Sequence, residues 1–413
     1  MIRIKPFKGV HPTAEYAGDI SCPPYDVLTS EEAADIVSCN PLSFLRVTKP
    51  QLEFSPDTNP YSSQVYFRGK DNLDNFIRDG YLVQDNSDNY YIYRITIGNH
   101  RQTGLAALLS IEDYNSGVIK KHEYTGRHTV KDRADHMDIL DAQVGPVLSA
   151  FKSNQDIKEL FDRITSNQPF IQFFADDKTQ HEIWIMDNSD MVNNITSIFS
   201  ELDAVYIADG HHRSHAAQQV FERRKRNNPH HTGEKPYNYY LNILFPTDQL
   251  NIIAYNRLVK DFNGQSLDQF LLECRKSFSV KEINNPYLPQ SLHSFGMYCA
   301  GKWYELVLKE DFIDNDNPIK TIDAGLLYDY ILSPILAIKD PKEDTRLKYM
   351  GGDKSPLHLQ AMVDSGDFEI AFTLFPTSMQ QVLDIADAGK VMPAKSTWFD
   401  PKLRSGLLVY SLE

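Results

Sequence analysis

Cysteine is scarce in this chain, with 4 among 413 residues. Cys22, Cys39, Cys274 and Cys299 lie far apart, and no two of them form a CxxC pair. So few and so scattered thiols exclude a disulfide framework for a chain of this length. We therefore expect a cytoplasmic protein that folds in a reducing compartment.

Long apolar runs are also missing. No stretch of about 20 consecutive apolar residues occurs, so we expect no membrane span. The N-terminal segment lacks the apolar core of a signal peptide, so we expect no secretion leader.

An excess of positive charge is absent as well. Lys plus Arg total 42 against 56 for Asp plus Glu, which gives a formal net charge of −14. Non-specific nucleic-acid binding requires a basic surface, so we expect no nucleic-acid partner. A small anionic ligand in a local basic pocket remains compatible with this charge.

Length and element pattern predict a mixed α/β protein of two to three domains. We divide the chain into an N-terminal α/β region (1–90), a central core (91–261) and a C-terminal α/β domain (262–413). Apolar and β-branched runs predict strands at 90–97, 103–111, 118–124, 170–175, 180–186, 204–208, 239–245, 251–255 and 407–410. Capping residues and periodicity predict helices at 29–38, 61–79, 130–143 and 211–226.

The segment Asp209-Gly210-His211-His212-Arg213 is the strongest candidate site. A strand that feeds a glycine turn and then a helix presents unpaired backbone N–H groups and the positive end of the helix dipole. The two histidines and the arginine add side-chain donors for phosphate oxygens. Asp209 could cap the helix or hold Mg²⁺. The alternative interpretation is that Asp209 only caps and the histidines lie on the surface.

A second candidate site combines His122 and Glu123 with Lys131 and Arg133. A carboxylate near bound phosphate can act as a general base on a hydroxyl group, and the cations can neutralise phosphoryl charge. The alternative is a solvated charged loop.

A third, weaker candidate is the segment Lys395-Ser396-Thr397, followed by Lys402. Lysines and hydroxyl groups of this kind can hold an anion. The alternative is a polar turn that precedes the last strand.

Two metal patterns are discounted. The segment His231–Tyr237 has the letters of a zinc-finger linker, but no cysteine pair precedes it. His211, His212 and His215 lack the glutamate of an HExxH motif, so no zinc is expected. The basic run Arg223–Arg226 is interpreted as the solvated end of a helix.

Several of these motifs together resemble the bacterial and archaeal family known as domain of unknown function 1015 (DUF1015). The resemblance covers nearly the whole chain and is carried by Pro6–Gly9, Pro23–Val27, Asn40–Leu45, His122–Thr125, Lys131–Arg133, Ile207–Arg213, Met392–Phe399 and Pro401-Lys402.

That family is distantly similar to the free serine kinases of the ParB/sulfiredoxin superfamily. The resemblance implies a ParB/sulfiredoxin-like central domain with N- and C-terminal α/β additions. It further implies that the Asp-Gly-His-His-Arg turn holds nucleotide phosphates and that Glu123 acts on a serine hydroxyl. The expected activity is phosphoryl transfer between free serine or O-phosphoserine and ADP or ATP with Mg²⁺, with the phosphoserine-to-serine direction of serine biosynthesis mildly favoured.

This chain departs from the family pattern at two positions. It has Asn256 before Arg257 where the family usually has histidine, and Trp398 where tyrosine is usual. The likeness to the serine kinases covers only the central part of the chain. Two alternatives therefore stay open: a non-enzymatic nucleotide- or nucleic-acid-binding module, and a phosphatase for another small metabolite.

Overall fold

The computed structural model describes residues 2–314 and 317–413. Within it the chain forms two units. Unit 1 comprises Met1–Lys121, Thr125–Leu250 and Pro401–Glu413, and unit 2 comprises His122–Tyr124 and Asn251–Asp400. Each unit is therefore assembled from segments that are separated in the sequence.

Unit 1 combines helices with a mixed sheet. Its helices are α1 Ala17–Ile20, α2 Ser30–Cys39, α3 Leu45–Thr48, α4 Ser63–Arg78, α5 Ile111–Ser116, α6 Arg127–Leu140, α7 Gln155–Thr165, α8 Ser189–Ser200 and α9 His211–Asn227. Its first strands are β1 Ile4–Lys5, β2 Val10–Pro12, β3 Leu82–Gln84, β4 Tyr90–Ile97, β5 His100–Ser110, β6 Ile119–Lys120, β7 Ala142–Gln143, β8 Val147–Phe151, β9 Ile171–Phe174, β10 Gln180–Met186, β11 Val205–Asp209 and β12 Tyr239–Pro246.

The main sheet of unit 1 has the strand order β6-β11-β8-β12-β5-β4-β10-β9, and β1 also pairs with β5. Strands β6 and β11, and strands β8 and β12, run parallel, whereas the other neighbours are antiparallel. Every residue of β8 is buried, as expected for a central strand covered on both faces. Strand β11, which ends at the Asp209-Gly210 turn, pairs with β8 as far as Asp209 but with β6 only at Val205 and Tyr206.

Local signals explain where the helices of unit 1 begin. Thr29 caps α2 through a capping box with Glu32, which satisfies two backbone donors. Asn154 caps α7 and Asn188 caps α8 through their side-chain oxygens. A buried apolar cluster then joins the N-terminal helices to β2, β3 and β7, with Phe44 and Leu45 fully buried within it.

Unit 2 is built around an antiparallel sheet. Its strands are β13 Asn251–Ile253, β14 Tyr255–Val259, β15 Phe278–Ile283, β16 Ser294–Cys299, β17 Lys302–Leu308, β18 Leu347–Gly351, β19 Ile370–Leu374 and β20 Trp398–Asp400. Its helices are α10 Leu267–Ser277, α11 Asp323–Leu327, α12 Pro356–Asp364 and α13 Met379–Asp387. The main sheet has the order β15-β17-β16-β19-β14-β18, and β13 pairs with β20. The chain then returns to unit 1 and ends with β21 Tyr410–Ser411, which pairs with β7.

The mixed α/β class predicted from the sequence is confirmed, as are most of its elements. The predicted 90–97 strand is β4, the 170–186 hairpin is β9–β10, and the strand–turn–helix unit is β11–α9. The division into three regions stays a prediction. Among the described residues no helix is long and apolar enough to cross a membrane. All four cysteines are free thiols.

Three element predictions are corrected. The strand predicted at 118–124 is limited to Ile119–Lys120, because only these residues pair with β11. The helix predicted at 130–143 begins at Arg127 and ends at Leu140, since Asp141 has a positive φ of 54° and Ala142–Gln143 form β7. The last strand, predicted at 407–410, is Tyr410–Ser411.

Candidate active site

The turn between β11 and α9 is formed by Gly210, which has φ 99° and ψ 26°. Such a positive φ favours glycine, and a Cβ here would lie 3.1 Å from Nε of Arg213. Gly210 itself is the N-cap of α9, and no side chain caps the helix. The prediction that Asp209 caps α9 is therefore wrong, because Asp209 is the last residue of the strand.

Asp209 instead pairs with Lys402, whose Nζ lies 2.9 Å from Oδ2 of the carboxylate. Burial alone would raise the pKa of Asp209, but Lys402 and Arg213 hold it well below its ordinary range. The carboxylate is therefore ionised and fixed between two cations. Lys402 is supplied by the closing segment of the chain, about 190 residues downstream of Asp209.

Arg213 lies on the first turn of α9 and is half-buried. Its guanidinium donates to the carbonyl oxygen of Pro146. Burial opposes its charge, yet the charges of Asp209 and Asp26 and the ring of Tyr25 raise its pKa above the ordinary value. Arg213 is therefore a permanent cation beside the helix N-terminus.

Arg133 reaches the same region from α6. Its guanidinium carbon lies 4.1 Å from the ring centroid of Tyr25, and Nη2 is 2.7 Å from a carboxylate oxygen of Asp132. Arg133, Arg213 and Tyr25 all line one small cavity of about 30 Å³. Two predicted phosphate-binding arginines are thus brought together.

Lys131 is placed differently from Arg133. It is exposed on α6, where it forms an ion pair with Asp135 one turn further on. Lys131 lines a wider cleft of about 610 Å³, which it shares with Arg133 but not with Arg213. Its role at the phosphate stays a prediction.

The histidines of α9 differ in burial, since His211 is buried whereas His212 and His215 are half-buried. His211 is 2% exposed, so the interpretation of it as a surface residue is wrong. The backbone N–H of Gly126 donates to Nε2 of His212 at 3.2 Å, which requires an unprotonated Nε2 in this arrangement. One turn further on, Nδ1 of His215 lies 2.6 Å from the hydroxyl of Thr125. Burial, with the positive charge of Lys121, lowers the pKa of His215.

The predicted residues His122 and Glu123 are assigned to unit 2, together with the segment Lys395–Thr397. The His122 carbonyl oxygen accepts a hydrogen bond of 2.8 Å from the backbone N–H of Met392. The Ser396 hydroxyl donates to the carbonyl of Pro393 within its own loop, and Lys395 has a positive φ of 55°. The loop Lys395–Thr397 precedes β20, not the last strand of the chain. The functional roles of Glu123, His122, Lys395, Ser396 and Thr397 stay predictions.

The residues around Asp209 do not fit a protein-held Mg²⁺ ion. Magnesium needs several oxygen ligands in octahedral geometry, whereas the neighbours of Asp209 are the cations of Lys402 and Arg213. Within residues 2–314 and 317–413, no group of three or more His, Cys, Asp or Glu side chains could hold a metal ion.

Three residues of this region were missed by the sequence-based choice of site residues: Tyr25, Thr125 and His215. Lys402 was included in the third candidate site, but its contact with Asp209 was not predicted. Tyr25, Thr125 and Lys402 lie in motifs that carry the family resemblance. No local pattern indicates that these motifs meet, since their contacts span separations of up to 193 residues.

Comparison of the sequence with models of protein families gives one match. The sequence model of the family described as "Protein of unknown function (DUF1015)" matches residues 4–325. No curated protein sequence matches the chain.

Solved structures that the chain matches include a free serine kinase in complex with AMP, with 11% identity, a TM-score of 0.37, and coverage of 71% of this chain and 86% of the kinase. A conserved hypothetical protein from Pyrococcus furiosus has 11% identity and a TM-score of 0.37, with coverage of 74% and 95%. SbnI from Staphylococcus aureus, truncated at its C-terminus, has 11% identity and a TM-score of 0.39, with coverage of 74% and 87%. Likeness at this level assigns neither a ligand nor an activity to this chain.

Proposed function

The chain belongs to the DUF1015 family, described as proteins of unknown function. We propose for it the activity that the resemblance given under Sequence analysis implies, and its own residues support the phosphate-binding part of that activity. The proposed activity is phosphoryl transfer between free serine or O-phosphoserine and a nucleotide. The direction from phosphoserine to serine is favoured, as in a serine-producing pathway. Nucleotide and small-molecule substrate are the proposed partners.

The observation that supports phosphate binding most is the set of cations in unit 1 at the first turn of α9. Arg213 and Lys402 both lie beside Asp209, and Arg133 lines the same small cavity as Arg213. The first N–H groups of a helix lack an intrahelical acceptor, and the helix dipole adds positive potential there. A dianionic phosphate is the ligand class that such donors stabilise best.

In the proposed mechanism, the N–H groups and side chains of Gly210–Arg213 hold the phosphate. Asp209 keeps Lys402 oriented by their ion pair of 2.9 Å, which is an orienting role rather than a proton transfer. Arg133 and Lys131 stabilise the negative charge of the phosphoryl group during its transfer. His122, Lys395, Ser396 and Thr397 are proposed to contact substrate phosphate or nucleotide. Mg²⁺ would be coordinated mainly by nucleotide phosphates and water.

Glu123 is the proposed proton acceptor. In the kinase direction it takes the proton from the serine hydroxyl while the new bond from that oxygen to the terminal phosphorus forms and the bond from phosphorus to the nucleotide breaks. In the reverse direction Glu123 returns the proton to the serine oxygen, and the phosphoryl group passes to the nucleoside diphosphate. Its proposed role is supported by its place in the chain, two residues before Thr125, which contacts His215 on α9.

The test is phosphorus NMR of the full chain with O-phosphoserine, ADP and magnesium. We expect loss of the phosphoserine signal and growth of the terminal signal of ATP. In the Glu123→Gln variant, turnover should fall by about 100-fold or more, since general-base catalysis contributes about 10² to 10⁴. The matched control is Glu201→Gln, an exposed glutamate of unit 1, which should leave turnover unchanged.

Other outcomes select other functions. Free phosphate that appears without dependence on ADP would make the chain a phosphatase. No change with phosphoserine, and none with serine plus ATP, would contradict the proposal and favour a binding module. Full turnover in Glu123→Gln with unchanged substrate affinity would remove Glu123 from the mechanism.

A further inference from the structure

Arg257 is a buried cation in unit 2. It lies on β14, between β18 and β19, directly opposite Tyr349 in the sheet register. Only 2% of the residue is exposed. Arginine is almost never buried to this extent without a charged partner, because removing its charge from water is costly.

The partners of Arg257 are all neutral. Its Nη1 donates to the carbonyl of Tyr255 at 2.7 Å, and its Nη2 donates to the carbonyl of Lys395 at 2.9 Å. The guanidinium also stacks on the ring of Tyr349, 4.4 Å from the ring centroid. Burial lowers its pKa to about 10, which leaves it protonated at neutral pH. Within the described residues no aspartate or glutamate forms an ion pair with Arg257.

A cavity of about 480 Å³ adjoins this guanidinium, and residues of unit 2 alone line it. This volume is in the range of small-molecule sites. Its walls are mainly apolar, with side chains that include Leu332 and Met392. Asp340 and Lys342 also line the cavity. Asp340 forms no ion pair with Arg257, and its carboxylate accepts a hydrogen bond of 2.9 Å from the backbone N–H of Lys342.

Two tyrosines contribute to the walls of the cavity, and one of them is the ring on which the guanidinium stacks. The hydroxyl of Tyr328 donates to the carbonyl of Lys339 at 2.6 Å, and the hydroxyl of Tyr349 donates to the carbonyl of Pro341 at 2.9 Å. Both hydroxyls are therefore committed to the loop that carries Asp340. Their rings remain as flat apolar surfaces beside the arginine.

We propose that this cavity in unit 2 binds a small organic anion, whose carboxylate or phosphate group pairs with Arg257 and whose apolar part contacts the tyrosine and aliphatic walls. The buried charge without a counterion supplies the affinity, and the apolar walls supply the selectivity for an organic over an inorganic anion. This site does not depend on the phosphate site proposed at α9, because all of its lining residues lie in unit 2.

The test is calorimetric titration of the full chain with benzoate and with phenyl phosphate. The titrated protein carries Arg213→Gln, which removes the arginine of the phosphate site proposed in unit 1. Binding at that site then does not contribute to the measured heat. We expect saturable binding of one molecule per chain, stronger than that of inorganic phosphate. Adding Arg257→Gln should weaken binding by about 10-fold to 100-fold, the range for loss of hydrogen bonds to a charged group.

The matched control is Arg275→Gln, which removes the same charge from the exposed face of α10 and should leave the affinity unchanged. A preference for benzoate identifies a carboxylate ligand, and a preference for phenyl phosphate identifies a phosphate ester. Absence of binding of both probes at millimolar concentration, or equal affinity after Arg257→Gln, would overturn the proposal.

If Arg257→Gln does not fold, the variant Ala394→Phe tests the proposal instead, because its larger side chain fills the cavity and the guanidinium of Arg257 is kept. If Ala394→Phe binds the probes as tightly as the protein without this substitution, the proposal is overturned.

Discussion

Residues at the first turn of α9 hold one another in their charged states. Asp209 stays ionised because Lys402 and Arg213 lie beside it, and Arg213 in turn gains from the charge of Asp209. Replacing either residue would therefore change the pKa of the other. A bound phosphate would add negative charge near the same cations, so Asp209 and the phosphate compete for Lys402. The ion pair therefore tunes how strongly this turn attracts an anion.

Buried histidines make the stability of the protein depend on pH. His136 lies in α6, is 5% exposed, and has Nε2 3.0 Å from the carbonyl oxygen of Val47. Burial, with the charge of Arg133, lowers its pKa to about 3. Below the unfolded-state pKa of about 6.5, the unfolded chain binds a proton that the folded chain does not. The free energy of unfolding should therefore fall by about 2 kcal/mol between pH 6.5 and pH 5 through this residue.

Urea unfolding at a series of pH values measures this effect. His136→Gln keeps a hydrogen-bond donor and removes the titration, so its stability should change less over this pH range than that of the wild type. His128→Gln, at an exposed position on the same helix, is the control and should show the wild-type slope. Identical pH dependence in all three proteins would contradict the assignment.

At the residue scale, the features that could be predicted are those that follow from a local sequence pattern. The glycine turn and Arg213 could be predicted because a strand, a turn and a helix follow one another within a few residues. The Lys402 partner of Asp209 could not be found in this way, because their contact spans 193 residues and depends on the last segment of the chain. The burial of His211 likewise depends on packing that its neighbours in sequence do not reveal.

Helices α6 and α9 are joined by a network of charges. Asp138 accepts from both Arg223 and Arg224 at 2.8 Å, and these arginines also reach Asp135 and Asp141. The basic run at the end of α9 was predicted to be solvated. That prediction is wrong for its first two residues, because the helix period turns them towards α6.

This network should contribute more to stability than a single exposed ion pair. Asp138→Asn removes the carboxylate shared by two half-buried arginines, so we expect a loss of about 1 to 2 kcal/mol in the free energy of unfolding. Asp162→Asn removes the partner of Lys158 in an exposed pair on α7, where a loss below about 0.5 kcal/mol is expected. Denaturant unfolding at low salt compares the two variants. Equal losses would show that α6 and α9 are held by apolar packing alone.

At the element scale, the errors occur where pairing partners decide the structure. The residues 118–124 have the β-branched pattern of a strand, but only Ile119–Lys120 find a partner in β11. Beyond them the chain leaves unit 1, and His122–Tyr124 belong to unit 2. The bounds of helices such as α2 were predicted closely because their capping residues are local in sequence. The bounds of strands at sheet edges were predicted poorly because their pairing partners are distant in sequence.

The two units differ in sheet type as well as in sequence range. Unit 1 has a mixed sheet with parallel pairs, whereas the main sheet of unit 2 is antiparallel throughout. Unit 2 takes the three residues His122–Tyr124 from the middle of unit 1's sequence. The boundary placed near 261 stays a prediction, because it rests on a change in the pattern of helices and strands along the chain and a local pattern cannot reveal such an exchange of distant segments.

The charge of the whole molecule argues against a nucleic-acid partner. The net charge is −14, and in the basic run on α9 the carboxylates of α6 already neutralise Arg223 and Arg224. Counterion release from DNA needs several free cations on one surface, and Lys225 and Arg226 are too few to supply them. A gel-shift experiment with a duplex of about 20 base pairs should therefore show no complex at about 50 mM or about 200 mM salt. A complex at low salt that is lost steeply as salt increases would contradict this argument, because it would reveal a basic surface for nucleic acid despite the net charge of −14.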